Sequence, residues 1–134
     1  MLVVLFLLVP ILFGAIEISR GVAIRAALDS GVGIAVRALS LDTTQPTQFD
    51  WARTNIQSTV EQNVFGDSGV GGVTLTYLDS SGFDIGEGGV AALQQGEIFC
   101  IVGAVPYQPS VPLMPLSSIN ITVRHCAVME RISP

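Results

Sequence analysis

Residues 1–41 read MLVVLFLLVP ILFGAIEISR GVAIRAALDS GVGIAVRALS L, and after Pro10 the next proline is Pro46. From Met1 to Ile16 no side chain is charged or strongly polar, and Leu, Val, Ile and Phe dominate. A helix of that length rises ~24 Å, just under the ~30 Å hydrocarbon slab, so a full span also draws on residues 18–24. The alternative is a cleavable secretory signal. Such a signal opens on a basic stretch and closes on small residues, whereas here Glu17-Ile18-Ser19-Arg20 follows the apolar run. Beyond Glu17 helical spacing continues through Ile18, Val22, Ala26, Asp29, Gly33 and Arg37, which predicts one helix of about forty residues. A helix that long outgrows a domain of this size and projects from it. Pro10 has no N–H to offer the carbonyl of Phe6, so a kink or a locally melted turn is expected there.

Within that helix small residues recur every fourth position: Ala15, Ser19, Ala23, Ala27, Gly31 and Ala35. Side chains at i±4 form a ridge, and small ones let a second helix backbone approach closely. The row winds around the helix by about 40° per step, so it meets several partner helices rather than one. The plainer reading is the ordinary alanine content of a good helix. Glu17 directly follows the apolar run, where a carboxylate is costly unless paired. Arg20, one turn on, is its local partner, either as a pair marking the membrane boundary or as an intersubunit contact.

Outward from the helix, the 134 residues suit one small domain carrying an appendage. Apolar residues make up 49% and charged ones 13%, too oily for disorder and too poor in charge for an ordinary soluble surface. All but two of the 11 acids lie after residue 41, against only Arg53, Arg124 and Arg131, so the second part is acidic. There is no lysine and no basic cluster, which excludes a nucleic-acid binder. The reading divides the chain into an N-terminal hydrophobic helix at 1–43 and an α+β head at 44–134.

In the head, Gln45-Pro46-Thr47 breaks the chain, and a second amphipathic helix opens at Phe49-Asp50-Trp51, with Trp51, Ile56, Val60 and Val64 as its buried side. The period then switches to two over Val73–Leu78, Glu97–Val102 and Ile119–Val123, the last running on to Met129. A small antiparallel sheet packed on the second helix follows. Pro106, Pro109, Pro112 and Pro115 make the segment between the last two strands an extended loop with apolar side chains. Cys100 and Cys126 fall on those strands: free buried thiols in a reducing compartment, or a cross-strand bridge in an oxidising one.

Little in the sequence carries catalysis. Gly66-Asp67-Ser68-Gly69 resembles a serine-nucleophile segment, but the one histidine, His125, follows it and the chain is too short for that barrel. A glycine-rich turn is the reading adopted. The stretch from Asp79 to Glu87 spaces oxygen ligands as a calcium loop does, and reads equally as a hairpin turn. His125 and Cys126 are too few for structural zinc and read as strand residues. No cofactor is expected. Asn120-Ile121-Thr122 matches the glycan acceptor triplet of exported surfaces.

The apolar start, Phe13-Gly14-Ala15-Ile16-Glu17-Ile18-Ser19-Arg20, the Arg25-Ala26-Ala27-Leu28 step and Arg37-Ala38 resemble the TadE-like pilin family. The closing proline-rich loop, Ile119–Val123 and Ala127-Val128-Met129-Glu130 are similar to that family's C-terminus. The resemblance implies a non-enzymatic subunit of a tight-adherence (Flp-type) extracellular pilus. It implies partners as well: copies of itself in a helical filament, the inner membrane before assembly, a prepilin peptidase, and an ATP-driven assembly machine. One departure is that no glutamate stands near position five, which leaves Glu17 as the acid available to helix packing.

Overall fold

The computed structural model describes residues 2–42, 47–63, 70–109 and 117–130. Among them the elements run α1 (Leu2–Leu41), α2 (Thr47–Gln62), β1 (Thr74–Asp79), α3 (Gly86–Ala92), β2 (Ile98–Tyr107) and β3 (Ile119–Val128). The architecture is α+β: a long N-terminal helix, a second helix, and an antiparallel sheet in the order β1-β2-β3. The helix passes through Pro10 without interruption, so no turn is melted there.

The two halves of α1 live in different surroundings. Ile24, Leu28, Val32, Ala35, Val36 and Leu39 are buried, a stripe repeating at three and four residues, as helix-on-sheet packing requires. Ile18, Val22, Ala26 and Arg37 are exposed, and so is Asp29, which reaches His125 of β3. N-terminal to Glu17, by contrast, the apolar side chains from Val4 to Phe13 are 39% exposed or more.

The strands bury alternate residues against α1: Phe99, Ile101, Val105 and Tyr107 from β2, and Val123 from β3. Gly103 belongs to the same inward row. A Cβ there would stand 2.6 Å from Val32 Cγ2 and 3.1 Å from Leu28 Cδ1, so the absence of a side chain is what lets the helix lie against the sheet. The helix runs parallel to β3. At one end Glu17 meets Tyr107, whose strand partner is Ile119; midway Asp29 meets His125; at the far end Ser40 O accepts from Glu130 N at 2.9 Å.

The second helix lies beside α1, with Gly31 against Ile56, and reaches the sheet through an edge-on contact of Phe49 with Tyr77, ring centres 5.6 Å apart. Its buried stripe is Phe49, Ala52, Ile56 and Val60. Trp51 is 45% exposed, contrary to the sequence reading, because the stripe anchored on Phe49 at steps of three and four leaves position 51 on the outer face. Val64 lies outside the described residues. The boundary drawn at residue 43 marks where the chain turns polar, but one hydrophobic core crosses it, joining residues 24–39 to residues of α2 and the sheet.

β2 also runs further into the proline segment than expected, through Pro106 and Tyr107. Pro106 sits near the end of β2 beyond its last partner in β1, and its carbonyl still accepts from Gly71 N at 2.9 Å. The rest of that loop, residues 110–116, lies outside the described residues.

Candidate functional site

The site builds from the exposed half of α1 and the collar where it leaves the head. Phe6 at 76% exposure, Leu5, Leu7 and Ile11 above 60%, and Ile16 at 51% form an apolar surface that water does not tolerate uncovered. By length and composition this helix can cross a membrane.

At the collar Glu17 is 8% exposed. Two donors reach it: Arg20 Nη1 at 3.2 Å to one oxygen, and the Tyr107 hydroxyl to the other. A carboxylate taken from water needs such donors, and here one comes from the next helical turn and one from the end of β2. Burial first, then the hydrogen bond to Glu17, push the Tyr107 phenol up to about 12, so it remains a donor at neutral pH. Arg20 was visible as a partner by spacing. Tyr107, 90 positions away, was not. The available signal was that a tyrosine closing a buried strand needs a partner for its hydroxyl, while Glu17 lacked a second donor.

The small-residue ridge divides at the same level. Ala27, Gly31 and Ala35 are buried within the chain, and a Cβ on Gly31 would touch Ile56 at 3.4 Å. Gly31 therefore serves the chain's own second helix, and Ala27 and Ala35 are covered by the chain's own core, a correction to reading the whole ridge as intersubunit packing. Ala15, Ser19 and Ala23 remain uncovered or half-covered. With Leu12, Ile16 and Asn63 they line a largely apolar groove of about 490 Å³ between α1 and the end of α2. The Ser19 hydroxyl is satisfied within the helix, donating to Ala15 O at 2.9 Å.

Cys100 and Cys126 stand directly opposite on β2 and β3, Cα atoms 4.0 Å apart, and are joined as a disulfide. Arg124 Nη2 donates to Cys100 Sγ at 3.3 Å. His125, on the inward face of β3, places Nε2 2.8 Å from Asp29 Oδ1 of α1, a surface clasp that becomes an ion pair when the imidazole is protonated.

The Asp79–Glu87 stretch is a turn leading into α3. Asp79 Oδ1 accepts from Ser81 N and Phe83 N, Asp84 Oδ1 accepts from Gly86 N, and Glu87 pairs with Arg53 at 2.8 Å. Those carboxylates are held by backbone and guanidinium rather than converging on one point; among the described residues no three His, Cys, Asp or Glu side chains do so. Gly66-Asp67-Ser68-Gly69 lies outside the described residues. No family model, curated protein or solved structure matches the chain.

Proposed function

We propose that this chain is a structural subunit of an extracellular TadE-like, type IV-related pilus, inserted in the inner membrane before assembly and held to its copies through α1. The observation that carries the reading is one uninterrupted helix whose second half is the core of the head while its first half is apolar and uncovered. Such a segment needs lipid or other helices around it. The open part of the ridge, Ala15, Ser19 and Ala23, offers the close approach that helix-on-helix packing requires. Adhesion and the acidic exterior belong to the head, and processing and extraction to a prepilin peptidase and an ATP-driven machine.

Detergent-free shearing of the cell surface, followed by electron microscopy with an antibody to the head, tests this. Fibres labelled along their length are expected. A chain that leaves membranes only with detergent, with no labelled fibre, removes the filament role and leaves a membrane-anchored assembly factor or minor pseudopilin in its place.

A further inference from the structure

We propose that the end of the head from which α1 emerges is itself a lipid-facing surface, seated in the headgroup zone of the bilayer while the chain is membrane-inserted. The proposal rests on the membrane-inserted state in the reading above and not on polymerisation.

The first argument is one of depth. On the face of α1 turned away from the head, apolar side chains continue past Glu17: Ile18 is 71% exposed and Val22 64%. The next exposed charge is Arg25, since Arg20 is folded back onto Glu17. Arg25 therefore marks where the outer face of the helix can leave lipid. Glu17 lies eight residues earlier, about 12 Å deeper at 1.5 Å per residue. Tyr107 is hydrogen-bonded to Glu17, and Ile119 is Tyr107's strand partner, so both sit at that depth too. If lipid reaches Val22 on one side of the helix, the collar on the other side is within the interface.

The second argument is composition. At the collar end, the segments 70–78, 101–109 and 117–123 contain no charged residue. Asp79, Asp84, Glu87, Glu97 and Glu130 gather at the opposite end, by the C-terminus of α1. The division keeps acid away from an anionic leaflet. Ile119, the strand partner of Tyr107, is 50% exposed at this end, an uncharged apolar side chain facing outward. The described carboxylates at this end are Glu17, already satisfied, and Glu61 on the last turn of α2, which is exposed and accepts from Gln57. A side chain of that length reaches water from an interfacial position.

The test uses the full chain in phosphatidylcholine/phosphatidylglycerol vesicles with its disulfide intact. An environment-sensitive fluorophore is attached at Ile119→Cys and, separately, at Leu8→Cys and Phe83→Cys; Phe83 is 72% exposed in the turn after Asp79, at the far end. The expected result at 119 is quenching by a nitroxide carried near the lipid headgroups and loss of quenching by aqueous iodide, with the reverse at 83. Asn120→Cys, at the exposed neighbouring position, carries the same expectation should the Ile119 variant misfold. A probe at 119 and 120 that behaves like the one at 83, while Leu8 is lipid-quenched, overturns the collar surface and leaves membrane insertion standing. A Leu8 probe that iodide reaches overturns insertion itself, and the collar surface with it.

Discussion

Where the chain is cut decides whether the head folds. A soluble fragment beginning at residue 44 looks natural from the sequence, because charge and polarity rise there, yet it removes Ile24, Leu28, Val32, Val36 and Leu39, each 4% exposed or less. Burying such a side chain contributes ~1.5–3 kcal/mol, so the five together account for ~8–15 kcal/mol. That equals the whole stability of an ordinary domain, about 5–15 kcal/mol. The cut also exposes Phe99, Ile101 and Val105 on the sheet and strands Glu130 N without Ser40 O. A fragment of residues 17–134, by contrast, loses no buried side chain among the described ones. The assay is thermal unfolding of both fragments followed by near-ultraviolet circular dichroism, with size-exclusion chromatography. The longer fragment is expected to melt cooperatively as a monomer, and the shorter one to show no cooperative transition or to aggregate. A cooperative, monomeric 44–134 would refute the claim that the second half of α1 is the core of the head.

The two halves of the small-residue ridge should respond differently to bulk. Gly31→Leu drives a side chain into Ile56 and is expected to cost about 1–3 kcal/mol of head stability in a denaturant melt of the 17–134 fragment; Ala23→Leu is expected to leave that melt unchanged and to abolish fibres. The chain's two tyrosines are both raised from 10.0 to about 12, Tyr77 by burial and then by Glu87, Tyr107 by burial and then by Glu17. Since the fold favours the neutral phenols, their contribution is full below pH 10 and is lost as pH rises through about 12. Absorbance at the phenolate band should therefore stay flat past pH 10 and rise together with unfolding. Cleaving Cys100–Cys126 opens a loop with a sequence separation of 26, and the chain-entropy estimate is a loss of ~3.5 kcal/mol. Non-reducing mass spectrometry of the chain isolated from its native cells should find the two joined, and free alkylatable thiols would contradict it.

Much of the fold was legible because its signals are local. The length of α1 follows from helical spacing without a breaker between Pro10 and Pro46, and the strands from period-two runs. What escaped depends on contacts distant in sequence. α3, reading Gly86-Glu87-Gly88-Gly89-Val90-Ala91-Ala92, contains three glycines, and its propensity argues against helix. Val90, fully buried, and the capture of Glu87 by Arg53 hold it in place. Hydrophobicity alone sends Trp51 inward, but the geometry of the stripe, not the size of the ring, chooses the face. At the candidate site Glu17 and Arg20 were legible by their spacing, whereas Tyr107 required knowing that β2 ends beside Glu17, about four turns into α1.

The partition of the ridge has a consequence for the whole chain. A helix surrounded by lipid or identical helices can be apolar all round, whereas one lying on a sheet needs a single apolar stripe. α1 fits each description in turn, and the change runs over about two to three turns after Glu17: before it every described face is apolar, after Val22 Arg25 and Asp29 appear on the outside while Ile24 and Leu28 go in. The carboxylate sits where the helix passes between these surroundings, and its two donors come from the helix and from the sheet. The second half of α1 is packed into the core of the head, so the exposed half continues a helix that the head already holds. The hydrogen bond from Tyr107 to Glu17 thus ties the end of the sheet to the point where α1 leaves the head.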